Sequence, residues 1–397
     1  MNNLRRTLSD YWRDTLLRRV LRNSGYLFSS NTVSAALSFA QGIFAVRLLG
    51  IEGFGLVSGT IIVFASNVNR LLSFRMSEVV VKYLGEALGR DQKRRAGAVV
   101  KGVALADALT SLVAYAVLLA LTPWAARTLG KDAATAPLFA FYGLVLLANM
   151  LYETSTGVLQ ATNHFDRIAV INLIQSIITA GVIFAAYLMH GGMWDVLAAY
   201  LMGKTFAGLT ITLTAFLALN RRLGRGWWRA PLRLLDDWRA IATFAVSTNL
   251  NGTVNLLARD NVPLYLAGLR SQAEVGYFKL ALSIINLVKL PIEPFIWPTY
   301  AEIAQAIALH RWEATRRLLR RVSTIAAAWT LPAGGGLVLL GWWLIPLVYG
   351  AESAPAYPAL AILLIGFGFA SILHWNRPLL LALGKPAYPL TVAALVG

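Results

Sequence analysis

Ile168-Ala-Val-Ile-Asn-Leu-Ile-Gln-Ser-Ile-Ile-Thr-Ala-Gly-Val-Ile-Phe-Ala-Ala-Tyr-Leu-Met189 runs for 22 residues without an Asp, Glu, Lys, Arg or His. As a helix it is about 33 Å long at roughly 1.5 Å per residue, enough to cross a hydrocarbon core about 30 Å thick. Arg167 stands at one end and His190 at the other. Comparable apolar runs occur at residues 105–121, 209–219, 322–348 and 360–373. Over the 397 residues 57% are hydrophobic and 14% charged, where a soluble domain carries about 25% charged residues. These runs predict an all-α polytopic membrane protein. Their length argues against an outer-membrane barrel, whose strands alternate over short segments.

The formal net charge is +17, which in a soluble protein would point to nucleic acid. Here the basic residues fall in alternate loops, the pattern that orients a chain in a membrane. Arg5, Arg6, Arg13, Arg18, Arg19 and Arg22 precede the first span. Lys82, Arg90, Lys93, Arg94, Arg95 and Lys101 form a second basic loop. Arg221, Arg222, Arg225, Arg229, Arg233 and Arg239 form a third, and Arg311, Arg316, Arg317, Arg320 and Arg321 a fourth. The turns at 50–55, 130–137 and 190–195 are short and poor in Lys and Arg. The basic side is therefore read as cytoplasmic, with the N-terminus inside and no nucleic-acid partner. Leu4, Leu8, Trp12 and Leu16 give the N-terminal segment one apolar side, so it reads as an interfacial helix rather than a cleaved signal. The chain has no cysteine, so thiols say nothing of the compartment.

Loop charges and apolar runs together place spans at about 25–49, 54–81, 96–121, 136–160, 168–189, 194–219, 240–269, 275–297, 322–347 and 357–383, with an eleventh starting near Tyr388. The implied domains are an amphipathic segment 1–24, an N-lobe 25–219 with helices 1–6, a basic, Trp-rich linker 220–239, and a C-lobe 240–397. The chain also repeats itself. Ala45-Val-Arg-Leu-Leu-Gly-Ile-Glu-Gly-Phe-Gly-Leu56 recurs loosely as Leu266-Ala-Gly-Leu-Arg-Ser-Gln-Ala-Glu-Val-Gly-Tyr277, and Tyr83-Leu-Gly-Glu-Ala as Tyr300-Ala-Glu-Ile-Ala. Both copies begin on the same side, which implies parallel repeats about an axis along the membrane normal. On that register the second lobe stops partway through its fifth helix and reads as truncated.

Charges stranded at membrane depth are the functional signal. Arg70, Lys204, Arg259, Lys289 and Arg377 fall inside apolar spans, where a charge costs about 2.5–3.5 kcal/mol on insertion scales and usually faces water or protein. Five of one sign predict a path for an anion. Lys279, Ser283, Asn286, Lys289 and Glu293 recur at three- and four-residue steps and share one helical face; Asn67 and Arg70 repeat part of that spacing. Thr248, Asn251, Asn255 and Arg259 line another face, and Asn31, Ser34, Ser38 and Gln41 a fourth. These faces are expected to border a cavity between the lobes, although Asn, Ser and Gln also join helices by hydrogen bonds. Arg70, Arg259 and Lys289 are the favoured anion contacts, since guanidinium binds phosphate bidentately and Lys as a point charge. Lys204 and Arg377 rank second, Lys204 having Asp107 or Glu153 as a structural partner. Asp107, Glu153, Asp260 and Glu293 are candidates for a coupling proton or sodium ion, or for ion pairs with those cations. Arg47 and Arg270 are expected to reach water at the far ends of their helices.

Catalytic and cofactor motifs are absent from the sequence. Gly203-Lys204-Thr205 ends like a phosphate-binding loop, but Ala198 stands where the first glycine belongs. Four histidines show no metal-ligand spacing. No cofactor is implied, and no enzyme.

The turn Arg47-Leu-Leu-Gly-Ile-Glu-Gly-Phe-Gly55 resembles the signature of Wzx-type polysaccharide flippases, in the multidrug/oligosaccharidyl-lipid/polysaccharide (MOP) exporter superfamily. Asp260, Glu274-Val-Gly-Tyr-Phe278, Pro298-Thr-Tyr-Ala301 and Tyr349-Gly350 resemble its second-half pattern. The resemblance implies two six-helix lobes rocking about a central cavity in a bacterial or archaeal inner membrane. It implies an undecaprenyl-pyrophosphate-linked oligosaccharide as cargo, Arg70, Arg259 and Lys289 on the pyrophosphate, and a polysaccharide polymerase or export complex as partner to a monomeric carrier. A cation-coupled multidrug antiporter is the first alternative, though it would favour acidic cavity groups. A lipid II flippase of the same superfamily is the second, usually with fourteen helices. A membrane glycosyltransferase or polymerase would need a large external loop bearing carboxylates, and none is found.

Overall fold

The computed structural model describes residues 15–73, 76–235, 238–256, 261–293 and 310–383, with 296, 299, 303, 306 and 307 between. All regular structure among them is helical. Helix α1 (Thr15–Phe54) contains a turn at Gly50, whose φ of 69° lies in the left-handed region that glycine enters without steric cost. The chain reverses there and returns through a π-helical turn (Gly55–Ile61) and α2 (Ile62–Leu72). Then come α3 (Met76–Gly89), α4 (Lys93–Thr128), α5 (Ala136–Ala148), α6 (Tyr152–Ala161), α7 (Phe165–Leu188) and α8 (Met193–Leu223). Two short 3₁₀ turns bearing Trp227 and Leu232 lead to α9 (Trp238–Asn255), α10 (Val262–Leu269), α11 (Gln272–Lys289), α12 (Trp312–Tyr349), α13 (Ala356–Ile372) and α14 (Asn376–Ala382). Six described helical stretches, including Thr32–Leu72 with its internal turn, are long and apolar enough to cross a membrane.

Several expected spans are broken. The expected 54–81 ends at Leu72, because Ser73 is extended (φ −84°, ψ 134°). The expected 136–160 is two helices, separated at Asn149–Leu151. The expected 240–269 contains α9 and α10, with 257–260 between them outside the described residues, and 357–383 is interrupted at 373–375. Residues 82–101 belong largely to α3 and the start of α4 rather than to a loop. Side chains meet two of the helix ends, and a third joins the 373–375 turn to α12. Asn249 on α9 sits where its amide NH2 donates to the carbonyl oxygens of Arg70 (3.2 Å) and Ser73 (3.0 Å). Trp329 Nε1 donates to Val288 O at the end of α11 (2.9 Å), and Trp375 Nε1 to Ser323 Oγ (2.7 Å). Such partners are obligatory, because a helix end leaves carbonyls unpaired and the bilayer offers no water.

One hydrophobic core crosses between the two helix groups at the Lys- and Arg-poor end, joining Ile51, Phe54 and Phe139 to Val275, Ile285 and Tyr349. A second lies within the first group toward the basic end, built from Val79, Leu84, Val100, Leu159 and Ile211, with Ala245 of α9. At the first core, Gly55 lies on the backbone of Gln272 and Gly276 on the backbone of Ile51, and neither has room for a Cβ. These glycines are paired in the sequence repeat, so the contact is reciprocal, as in an isologous interface.

Candidate functional site

A polar space lies inside the first helix group. A cavity of about 230 Å³ is bordered by Ser66 and Asn69 of α2, Asp107 and Ser111 of α4, Tyr142 of α5, Asn149 at the helix break, Glu153 of α6, Gln175 of α7 and Lys204 of α8. The break at Asn149–Leu151 explains why acids are there. The new helix α6 starts in the membrane with unpaired N–H groups, and Asp107 supplies the missing acceptor from a neighbouring helix. Its Oδ2 accepts from Thr154 N (3.0 Å) and Thr154 Oγ1 (2.8 Å). A carboxylate at a helix N-terminus also meets the positive end of the dipole. Ser77 Oγ donates to Glu153 Oε2 (2.6 Å), tying α3 to α6. Gly208 lets α8 approach the carbonyl of Ala148 and the side chain of Asn149. Lys204 is solvent-accessible in this cavity and makes no ion pair within 4 Å among the described residues. Asp107, Glu153 and Lys204 thus border one space, two acids and one base.

The second group has a different pocket. About 350 Å³ is bordered by Lys289 and Ile285 of α11, Thr330 and Gly334 of α12, and Leu364, Phe367 and Ser371 of α13. Lys289 Nζ lies 5.3 Å from the Phe367 ring centroid, within cation–π range. Lys204 and Lys289 therefore sit in separate spaces, each lined by its own helix group.

The remaining expected site residues disperse. Arg70 is exposed in the last turn of α2. Lys279 is half-buried on α11, and Ser283 Oγ donates to its carbonyl (2.9 Å). Asn286 and Glu293 are exposed, as is Arg377 at the start of α14. Gln41 is buried and donates to Ser176 O (3.0 Å), joining α1 to α7. Asn67 is buried and donates to Asn261 Oδ1 (2.6 Å), joining the groups. Arg259 and Asp260, and the side chains of Asn31, Asn251 and Asn255, lie outside the described residues. Arg47 does more than reach water. Its Nε and Nη2 donate to Val348 O and Leu347 O, both at 2.9 Å, closing the C-terminal turn of α12. Lys131 Nζ donates to Gly268 O (2.7 Å), Thr60 Oγ1 to Gln272 Oε1 (2.8 Å), and Gln272 Nε2 to Leu129 O. This belt of latches at one end was missed from sequence. Its only signal was the Arg47 turn and its repeat, which fix a register but name no partners.

Two helix groups latched at one end, each with charged groups in its interior, make a helical membrane protein of the MOP fold. The structure is similar to an inward-facing multidrug resistance MATE transporter of that superfamily at a TM-score of 0.73 and 16% identity, covering 91% of this chain and 83% of that one. It is similar to an outward-facing MATE transporter at a TM-score of 0.60 and 18% identity, covering 95% and 86%. In sequence, the chain is 26% identical over 359 residues to the inner membrane protein YghQ of Escherichia coli K12, across 88% of this chain and 98% of that protein. Residues 44–358 match the model of the polysaccharide biosynthesis protein family, and the chain belongs to that family.

Proposed function

We propose that the protein is a flippase that carries a lipid-linked oligosaccharide, of the undecaprenyl-pyrophosphate type, from the cytoplasmic to the outer leaflet of an inner membrane for surface or exopolysaccharide assembly. Family and fold support a membrane transporter; the observation that carries the cargo is the cationic face of α11. Lys279 and Lys289 are both half-buried, and neither makes an ion pair within 4 Å among the described residues. Cations held in low dielectric without a carboxylate suit a pyrophosphate that has to cross it. In this reading Arg70, Arg377 and the exposed Asn286 are further contacts, and the roles of Arg259, Asn31, Asn251 and Asn255 on pyrophosphate and sugars rest on the sequence alone. The latches at the Lys- and Arg-poor end support an inward-open resting state, in line with the higher TM-score to the inward-facing transporter. The basic end, and the N-terminus with it, is then cytoplasmic. A polysaccharide polymerase or export complex takes the product outside.

The test is polymer export in a strain lacking the protein, complemented with Lys279→Met/Lys289→Met at normal membrane levels. Export is expected to fall at least about tenfold, because each lost charge-assisted contact is worth roughly 1.5–3 kcal/mol; full export would overturn the reading. A cation-coupled antiporter is favoured by one observation, the two acids around Lys204. In the flippase this cavity is the coupling site, with Asp107 and Glu153 exchanging a cation against Lys204, while Asp260 and Glu293 are the weaker candidates. Drug efflux that survives Lys279→Met/Lys289→Met and is lost in Glu153→Gln would transfer the function to the antiporter.

A further inference from the structure

A third space lies at the basic end, outside both sites above. It has a volume of about 560 Å³ and lies between the end of α3, the turn joining α6 to α7, and the last turns of α8. Arg167, Arg221, Arg222 and His164 border it, and no Asp or Glu does. The three guanidiniums make no ion pair or hydrogen bond among the described residues, and the nearby Glu86 is engaged by Arg90 at 3.0 Å. Thr162 Oγ1 donates to Val158 O (2.7 Å) and therefore accepts from His164 Nδ1 (2.9 Å). That assignment leaves His164 Nε2 unprotonated in the neutral ring and ready to take a proton beside an anion. The depth of the pocket is marked by aromatic rings. Phe216 of α8 stacks on Trp228 at 5.5 Å, and indoles favour the membrane–water boundary. Arg221 follows five residues later, roughly 7.5 Å further out at 1.5 Å per residue, which is headgroup height.

We propose that this pocket binds the phosphate headgroup of an anionic membrane lipid, with Arg221 and Arg222 forking onto the phosphate oxygens and Arg167 and His164 closing the inner side. Unpaired guanidiniums around a concave, acid-free surface match a phosphate monoester dianion better than a zwitterionic headgroup. The proposal goes beyond the transport reading, since it concerns a site on one helix group and no movement of cargo. Dioctanoyl phosphatidic acid is titrated into the purified full chain in detergent and bound copies are counted by native mass spectrometry, with dioctanoyl phosphatidylcholine as control. Saturable binding of phosphatidic acid is expected, weakened at least about tenfold in Arg221→Gln/Arg222→Gln, largely restored in Arg221→Lys/Arg222→Lys, and unchanged in Arg94→Gln/Arg95→Gln. The last variant removes the same charge from another basic cluster at the same end. Equal weakening in both glutamine variants, or no saturable binding to the wild type, overturns the site. Displacement of the lipid by micromolar inorganic pyrophosphate assigns the pocket to a soluble phosphate and overturns the lipid source. Export activity enters none of these readouts, so the site and the transport reading fail separately.

Discussion

The two helix groups break their helices in comparable places and surround the breaks with different chemistry. In the first, the break at Asn149–Leu151 is repaired by a buried carboxylate, Asp107, with Glu153 and Lys204 around the same cavity. In the second, the indole of Trp329 meets a carbonyl at the end of α11, and that of Trp375, in the 373–375 break, ties to Ser323 Oγ of α12, around a largely apolar pocket with one cation over Phe367. An indole satisfies one acceptor and fills space. A carboxylate satisfies donors and also brings a charge that a proton or cation can cancel. The chemistry of the first group suits the ion coupling proposed above, and that of the second suits the proposed apolar, anionic cargo.

The comparison breaks most visibly at Asp107. Asp107→Ala leaves Thr154 N and its hydroxyl without an acceptor inside the membrane, a loss of about 2–6 kcal/mol at roughly 1–3 kcal/mol per unsatisfied buried donor. Trp375→Phe loses one hydrogen bond, about 1 kcal/mol, with a packing loss from the smaller ring added to it. Unfolding of both variants by denaturant in detergent, compared with the wild type, reads the difference. If the two losses are equal, the carboxylate is no more than a spacer.

Where the groups are alike, the effect should be smaller but symmetric. Gly276→Val drives a side chain into the backbone of Ile51, and Gly55→Val does the same to Gln272. Overpacking of this kind costs about 1–3 kcal/mol, and both substitutions are expected to pry open the latched end. The chain has no native cysteine, so paired cysteines placed across that end report separation by cross-linking yield without background. Unchanged cross-linking in both variants would remove this contact as the fulcrum.

Arg47 sharpens the same point at lower amplitude. Arg47→Gln loses the bonds to Leu347 O and Val348 O, worth about 1.5–3 kcal/mol for hydrogen bonds to a charged group and less at an exposed site. The expected result is a shift toward the outward-open form, seen as faster labelling of a cysteine placed at the latched end. Labelling at the wild-type rate would mean that the glycine contact alone holds that end.

How much of this was written plainly in the sequence depends on scale. Apolar runs such as 168–189 gave the class and most crossings, because hydropathy is summed over a whole span. The breaks were invisible to that sum. Asn149-Met-Leu151 contains neither Pro nor Gly, and its helix ends there because Asp107, 42 positions earlier, offers α6 a distant cap. For the same reason Lys204 could be paired with Asp107 or Glu153 only as alternatives, whereas the fold puts all three around one cavity. Gln41 and Asn67 could be read from their helical spacing either as cavity-lining or as joining helices. Periodicity says which residues share a face and nothing of what the face meets, and these two meet other helices.

The smallest expected effect belongs to His164, at the basic end of the first group. Burial lowers its pKa below the ordinary 6.5; the Arg167 and Arg221 charges push the same way, while Asp166 and the bond to Thr162 oppose them. A histidine held below its unfolded value contributes stability that is fully present above about pH 6.5 and is lost as pH falls through the folded value. The wild type should therefore lose slightly more stability than His164→Gln between pH 7.5 and 5.5, with high salt narrowing the gap as it screens the arginines. An anion among Arg167, Arg221 and Arg222 reverses the sign of the local field, so short-chain phosphatidic acid should raise the histidine pKa and flatten the wild-type slope onto that of the variant. Parallel slopes with and without the lipid would place the anion away from His164 and leave the arginines alone to hold it.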